Sequence, residues 1–279
     1  MRAAVRGGLT VGSRLDEHAS PSLDADEGLS AIGIKFALNL ALSINMAHSL
    51  TALVRWGQIA LKAHLDRYPE AAFMVGIGHP ETATVSTMPR PVRLLLEVFS
   101  QRDTVTDELI HAQVIQYWHD FLDELLLELA RRHFTGSRTY PGLGTIQLRL
   151  DCRQVDHSCL VDQVVERAAR EFAFMEAMDK LRLAARALGV SIPQELTRAI
   201  RKDVMVRNVL QHNDGMLRDE DLKRLGLKGA GLPLLDKSGE ERRHHPGDRV
   251  AISFWELMIT CADLLDAAWL LIPCMEGRP

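Results

Sequence analysis

The chain has 279 residues, of which 47% are hydrophobic and 25% are charged, and its formal net charge is −4. This length can bury a sizeable core in one or two domains, and the composition is that of a soluble globular protein. The mild negative charge excludes a chain that is basic throughout, so a nucleic-acid site would have to be a local patch. The 4 cysteines are too few for a disulfide framework and favour a reducing, cytoplasmic setting.

The first 28 residues are rich in Gly, Ser, Asp and Arg and lack the apolar region of a secretory signal, which predicts a poorly ordered segment. A long helix is expected over about 29–67, with a break near Gly57. The apolar part of this helix, 31–54, is interrupted by four polar residues, namely Lys35, Asn39, Asn45 and His48. We therefore interpret it as a buried helix, and a membrane span is the alternative.

The middle of the chain alternates breaker-rich segments with helical patterns. Residues 75–92 contain glycines and prolines and are predicted to form a loop or linker. A second long helix is expected over about 106–134, because apolar residues recur there at helical spacing. In the turn-rich segment that follows, TIQLRL at 145–150 alternates apolar and polar residues and predicts a short strand. A third long helix is predicted from about 158 to 188, with Gly189 at its C-terminal cap.

The C-terminal third predicts three more helices. One covers about 194–213, a short one lies in DEDLKRLGL, and the last begins after Ser253 and runs to about Ile272. Ser253 and Glu256 form a capping-box pattern, in which the serine oxygen accepts one free amide and the glutamate reaches back to another. Residues 228–248 are predicted to be a loop.

Together these elements predict an all-α fold, an up-and-down helical bundle with additional N-terminal helices and one short strand-like insert. The predicted organisation is a poorly ordered segment at 1–28, an N-terminal helical extension at 29–95 and a bundle domain at 96–279.

The stretch RNVLQHNDG, residues 207–215, places polar side chains on the last two turns of a predicted helix. Asn208 and His212 are four residues apart and share a face, so the asparagine amide can hydrogen-bond the imidazole. Arg207 and His212 are five apart and diverge. They would meet at one ligand if the arginine curls, or if a second chain supplies a matching helix. Asn213-Asp214-Gly215 is a sequence that ends helices.

These residue types suit the cleavage of RNA. Free carbonyls at a helix C-terminus favour the protonated form of His212, and an imidazole that exchanges a proton near neutrality suits transfer to or from a ribose hydroxyl. The Arg207 guanidinium suits the charge that grows on a phosphate. Residues 198–228 hold eight Lys or Arg against five Asp or Glu, which is a local positive patch. The alternative is structural, because a histidine often stabilises a helix end and a nearby arginine often forms a surface salt bridge.

This segment resembles the signature of HEPN domains, which are all-α bundles that include many ribonucleases. The signature is an arginine, a polar residue, a few further positions and a histidine, and it stands here as RNVLQH at 207–212. The continuation HNDGMLRDEDLKRLGL is similar to MAE-type and RiboL-PSP-type HEPN proteins, in which Asn-x-Gly and a short helix follow the histidine. The resemblance covers about 105–275 and is strongest at 207–222.

The resemblance implies a metal-independent endoribonuclease of a toxin–antitoxin, abortive-infection or antiviral defence system, with no cofactor. His212 would be the catalytic histidine and Arg207 the phosphate-stabilising residue. Asn208 and Asn213 would support them, and Asp120 is a further candidate from another helix. The expected partners are RNA and a second copy that completes a composite active site, with an antitoxin or regulatory protein as a further partner and no membrane. The alternative is a catalytically inactive HEPN-like module that binds RNA or protein.

Other polar groups are weaker candidates. Cys152, His157 and Cys159 have the spacing C-x4-H-x-C but lack a fourth ligand, so we expect no metal site there. His119 and Asp120 follow Trp118 and would face a cleft, although such neighbour pairs on a helix are more often on the surface.

Overall fold

The structure is a computed structural model that describes residues 27–79, 84–101, 104–143 and 160–272. Within these ranges the chain is mostly helical, as predicted, with eight α-helices and two antiparallel hairpins. The helices are α1 (Glu27–Arg67), α2 (Val92–Gln101), α3 (Val105–Phe134), α4 (Leu160–Ala173), α5 (Ala177–Leu188), α6 (Gln194–His212), α7 (Asp219–Leu225) and α8 (Phe254–Leu271). The strands are β1 (Ala72–His79), β2 (Thr84–Pro91), β3 (Leu232–Leu235) and β4 (Glu241–His244).

Helix α3 is the centre of the bundle and contacts α1, α4, α5, α6 and α8. Its fully buried side chains recur every three or four residues, at Trp118, Leu122, Leu125 and Leu129. This spacing places them on one stripe of the helix, which is the stripe that fills the core. Because neighbours surround α3 on several sides, some of its polar residues, such as His111 and Asp123, lie at the contacts between helices.

Helix α1 runs antiparallel to α3. Gly28 lies beside Arg132 near the C-terminal end of α3, and the Phe36 ring stacks on Phe121 with centroids 4.7 Å apart. Near the other end, Thr51 and Asp107 line the same cleft. Residues 29–47 of helix α1 thus belong to the core of the bundle, and α2 spans the predicted domain boundary at residue 95.

Three predictions about the long helices need correction. Helix α1 continues through Gly57, where nothing crowds the backbone. The segment predicted to be buried, 31–54, is buried on one face only, and α1 is the described helix that is long and apolar enough to span a membrane. The helix predicted over 158–188 is divided into α4 and α5, with Glu176 in an extended conformation. No glycine or proline marks this division, because it arises where two helices pack separately on α3.

The two segments predicted to be loops are hairpins. Residues 75–92 contain most of the β1–β2 pair, in which Met74 pairs with Pro89. Prolines fit here because each strand of a two-stranded sheet has a free edge. Residues 228–248 contain the β3–β4 pair, whose alternate residues Leu232 and Leu234 are buried. The predicted strand at 145–150 and almost all of the predicted segment at 1–28 lie outside the described residues.

Candidate functional site

Helix α6 ends at His212, as the sequence predicts. The Val209 carbonyl accepts hydrogen bonds from the amides of Asn213 and Gly215, each at 3.1 Å. Asp214 and Gly215 both have positive φ, 53° and 77°, which turns the chain out of the helix. Gly215 also lies close to the Val250 carbonyl, so the position combines a left-handed backbone with a close approach and favours glycine. The helix end is therefore fixed on the side away from solvent.

The motif side chains are arranged differently from the prediction. The half-buried Arg207 donates from Nη1 to Oδ1 of the exposed Asn208 at 3.1 Å. The hydrogen bond that the spacing allows between Asn208 and His212 is not present among the described residues. His212 is exposed, and its ring forms no hydrogen bond or ion pair with the described residues. Asn213 is the half-buried C-cap of α6.

Arg207 belongs to a group of charged residues that joins three helices. We call it the Arg207 cluster, and it consists of Arg207 on α6, His119 and Asp123 on α3, and Lys180 on α5. Lys180 is almost completely buried, and its Nζ donates to Asp123 Oδ2 at 2.8 Å and forms an ion pair with Oδ1 at 2.6 Å. The Nε atom of Arg207 is buried and has no hydrogen-bond partner among the described residues. The cluster therefore contains one cation that is paired with a carboxylate, Lys180, and one cation whose Nε has no described partner, Arg207.

His119 is electrostatically coupled to this cluster. Burial lowers the pKa of His119 below its ordinary value, and the charges of Lys180 and Arg207 lower it further. The carboxylates of Asp123 and Asp120 oppose this shift without reversing it. The imidazole is therefore neutral at neutral pH and has a lone pair that can accept a proton.

Asp120 lies at the rim of the cluster. It is exposed, and its Oδ1 accepts a hydrogen bond from Gln116 at 2.8 Å. It acts on the cluster through its charge near His119, and it makes no described hydrogen bond to Arg207.

Sequence reasoning missed Lys180 and Asp123 as members of this site. A signal for Lys180 was present, because the lysine lies three residues after Ala177 and four before Ala184 on a helix face that is otherwise apolar. A charged residue at such a position is rarely buried unless it is paired. Asp123 carries no comparable signal, since acidic residues are common on the polar face of α3.

A second charged group lies on the other side of α6, and we call it the buried cluster. It consists of Lys202, Asp203, His111, Glu256 and Thr260. Lys202 Nζ hydrogen-bonds to Glu256 Oε1 and lies 3.6 Å from Asp203 Oδ1. Neither ring nitrogen of His111 has a hydrogen-bond partner among the described residues.

Glu256 corrects the predicted capping box of α8. Ser253 Oγ accepts the Glu256 amide at 3.1 Å, so the serine half is confirmed. The glutamate half is wrong, because Glu256 Oε2 accepts the Leu235 amide at 2.7 Å and Oε1 binds Lys202. The carboxylate thus links β3, α6 and α8 instead of capping its own helix.

Burial controls protonation in the buried cluster. It raises the pKa of Asp203 to about 7, although Lys202 opposes the shift. It lowers the pKa of His111 to about 3, and Lys202 adds to that effect. Asp203 and His111 are almost completely buried, so a polymer such as RNA has no access to them. We interpret this cluster as structural.

The predicted positive patch at 198–228 is smaller than the sequence suggests. Lys202 is neutralised inside the buried cluster, and Lys223 pairs with Asp219 at 3.2 Å. The exposed cations that remain are Arg198, Arg201, Arg218, Arg224 and Lys228. Arg198 and Arg201 lie on the N-terminal half of α6, Arg224 lies on α7, and Arg218 and Lys228 flank α7.

In the described ranges, no three His, Cys, Asp or Glu side chains come together as a metal site, while Cys152, His157 and Cys159 lie outside those ranges.

Comparison with protein-family models, with curated proteins and with solved structures finds no match to this chain. The functional argument accordingly rests on the RNVLQH motif and on the geometry around Arg207.

Proposed function

We propose that the protein is a metal-independent endoribonuclease with a HEPN-type bundle, acting in the cytoplasm in a toxin or antiphage defence system. The observation that supports this most is the half-buried Arg207, whose described hydrogen-bond partner is the neutral Asn208 and which lies near the neutral imidazole of His119. The exposed His212 follows on the last turn of the same helix. A cation near one imidazole, with a second imidazole on the last turn of the same helix, suits a phosphodiester next to a ribose hydroxyl.

The proposed reaction is an internal phosphoryl transfer. The ribose 2′-oxygen forms a bond to the adjacent phosphorus, and the bond from phosphorus to the 5′-oxygen breaks. One proton leaves the 2′-hydroxyl and one reaches the departing 5′-oxygen, so the products are a 2′,3′-cyclic phosphate and a 5′-hydroxyl. His212 transfers one of these protons, and His119 is the candidate for the other. Arg207 stabilises the negative charge that develops on the phosphoryl oxygens.

A homodimer with a composite site is the second part of the proposal. The solvent-facing residues at the end of α6 are polar, and they include Asn208, Gln211 and His212. A second copy of α6 facing this surface would add its own arginine and histidine around one RNA strand. An antitoxin or another regulatory protein would act by covering the same surface.

A catalytically inactive RNA- or protein-binding module is the second candidate. It is favoured by the absence of any described side chain that orients His212 and by the engagement of Asn208 with Arg207. General acid–base catalysis requires a positioned imidazole, and this one is free to rotate.

Cleavage assays with two variants test the proposal. Arg207→Ala and His212→Ala are compared with Gln211→Ala, an exposed residue between them on the same helix. The parent is expected to cut RNA in EDTA and to leave a cyclic phosphate, while RNA with a 2′-deoxy residue at the cleavage position stays intact. Each active-site variant should be slower by about 100-fold or more, and Gln211→Ala should match the parent.

Circular dichroism of each variant verifies that the helices are retained. Intact RNA after incubation with the parent, or cleavage that EDTA abolishes, would contradict the proposal. If the parent binds RNA without cutting it and Arg207→Ala weakens binding, the inactive module is the better description.

A further inference from the structure

Helix α1 is apolar on two opposite faces. One face is buried against the bundle through Phe36, Leu40 and Ala47. At about 100° per residue, the exposed large apolar residues of α1 centre roughly 150° away from that face. They are Ile34, Leu38, Leu42, Met46, Leu50, Leu53, Trp56 and Ile59. We call this surface the outer face of α1, and it is well exposed, with Leu42 at 66% and Trp56 at 72%.

The outer face carries almost no charge. Residues 36–54 contain no Asp, Glu, Lys or Arg. Lys35 borders the face, and its ammonium pairs with Glu124 on α3. A solvated helix face normally carries charged residues, so this face has the composition of a surface that is covered.

The area of the outer face matches a stable interface. Its eight side chains, at their observed exposures, present on the order of 900 Å² of apolar surface, against about 800 Å² per partner in a standard interface. The largest apolar patch of a typical monomer is about 300–600 Å². The face is thus large enough to hold a partner without further contacts.

A bilayer does not fit this face as a span. The inner face of α1 packs on α3 through Phe36, and the Lys35–Glu124 pair joins the two helices beside the apolar segment. A span would take the ionised residues of α3, such as Asp120 and Glu128, into hydrocarbon. Helices that lie flat on a membrane are rich in Lys and Arg, whereas the charge-free segment of α1 provides none and the net charge is −4.

The composition of residues 1–26 does not suit a cover for this face either. Residues 1–26 contain three leucines and two valines, and no isoleucine or aromatic residue. This apolar content is too small to bury eight large side chains over more than six turns of helix.

We propose that the outer face of α1 binds the outer face of a second copy of the chain, in an antiparallel pair with a two-fold axis near Met46. The exposed positions are nearly symmetric about Met46, so Ile34 of one copy comes opposite Ile59 of the other, and Leu42 opposite Leu50. A two-fold interface requires this kind of self-complementary surface. The two faces bury each other and leave the ion pairs with α3 in place.

This pairing is independent of the proposed ribonuclease activity. On α3, the residues that contact α1, such as Phe121 and Glu124, lie roughly opposite to His119 and Asp123 at helical spacing. A pair formed through α1 therefore leaves the Arg207 cluster of each copy facing outward. It is a separate contact from the composite site proposed above.

Light scattering after gel filtration tests the pairing with the full-length protein. In the absence of RNA, around which the composite site would assemble, the parent is expected to be a dimer at micromolar concentration. Leu42→Lys and Leu53→Lys should weaken dimerisation by at least about 100-fold, because each places two unpaired charges in the interface. The matched control is Leu109→Lys on α3, an equally exposed leucine away from α1, and it should remain a dimer.

The register is tested with single cysteine variants in oxidised glutathione. A mixture of Ile34→Cys and Ile59→Cys proteins should form disulfide-linked dimers, and Ile34→Cys alone should form no more of them than the parent.

A monomeric parent, or lysine variants that dimerise as well as the parent, would overturn the proposal. So would co-flotation of the parent with phosphatidylcholine–phosphatidylglycerol vesicles that Leu42→Lys abolishes, since a membrane would then be the occupant. Arg207→Ala should remain a dimer, so failure of the nuclease proposal leaves this test unaffected.

Discussion

Two histidines of α3 lie near cations of α6, and their surroundings differ. His111 interacts with Lys202 inside the core, and His119 interacts with Arg207 where α3, α5 and α6 meet. Lys202 is held by two carboxylates, Glu256 and Asp203, and these carboxylates and His111 are closed to solvent. Arg207 has one neutral partner, and its Nε donor remains free among the described residues.

From this difference we expect the buried cluster to contribute to stability and Arg207 to contribute to function. A buried cation whose charge is already neutralised has nothing left with which to bind a ligand, and removing it leaves carboxylates unpaired. A half-buried guanidinium whose described partner is one neutral amide keeps its charge available for a phosphate, and removing it leaves no carboxylate unpaired. The predictions below use this contrast.

The largest effect is expected for Lys202→Ala. The change leaves Glu256 and Asp203 buried without their cation, which costs about 3–5 kcal/mol of unfolding free energy. Urea unfolding followed by circular dichroism measures it. Arg201→Ala, the exposed neighbour, is the control and should stay within about 0.5 kcal/mol of the parent. Equal values for the two variants would show that Lys202 does not hold the buried cluster together.

The second prediction concerns the pH dependence of stability, in which two opposite contributions cancel in the parent protein. The raised pKa of Asp203 gives stability that is present below its ordinary value of 3.8 and is lost as the pH rises to about 7. The lowered pKa of His111 gives stability that is present above 6.5 and is lost as the pH falls towards about 3. Between about pH 4 and 6.5 the two slopes oppose each other, each at about 1.4 kcal/mol per pH unit. Their sum in the parent is therefore close to zero.

Two variants should expose the separate slopes. Asp203→Asn is expected to lose about 3 kcal/mol relative to the parent as the pH falls from 6.5 to 4. His111→Gln should show the opposite trend and become relatively less stable as the pH rises through the same window. Urea unfolding at four pH values measures both, and curves parallel to that of the parent would contradict the assigned protonation states.

His119→Ala should affect cleavage and spare stability. A group that transfers a proton typically contributes about 100-fold in rate, and the half-buried imidazole contributes little packing. The cleavage rate is measured per folded molecule beside that of Gln113→Ala, an exposed control on the same helix. A rate equal to that of the control would exclude His119 from the proton transfer.

The smallest effect is expected for Lys35→Ala, which removes the exposed pair with Glu124 at the edge of the outer face of α1. Exposed ion pairs contribute about 0–1 kcal/mol, so the unfolding curve should shift only slightly. A loss greater than about 2 kcal/mol would mean that the pair fastens α1 to α3 more strongly than a surface pair can.

The sequence predicted those parts of the fold that have a strong local cause. Helices α3, α6 and α7 lie where the periodicity indicates. Helix α5 ends at the predicted cap Gly189, and α8 begins after the predicted cap Ser253. The hairpins were missed because glycine and proline indicate loops when strand pairing is not considered. The division between α4 and α5 was missed because packing on α3 causes it, and no local residue marks it.

The site could be predicted only in part, for a similar reason. Arg207 and His212 lie on one helix, so their spacing was visible in the sequence. Lys180 and Asp123 come near Arg207 only through the packing of three helices. Asn208 accepts a hydrogen bond from Arg207, its neighbour in the chain. Electrostatic coupling between His119 and Arg207 depends on how α3 packs near α6, which local patterns do not specify.

The central claim is that Arg207 and His119 act in one catalytic site. A double-mutant cycle on the rate of RNA cleavage, with Arg207→Ala, His119→Ala and the double variant, tests it most directly. If the two residues act on the same phosphate, the double variant should be about as slow as the slower single variant. The claim would be contradicted if the rate reductions of the two single variants multiplied in the double variant, or if either single variant cleaved at the rate of the parent.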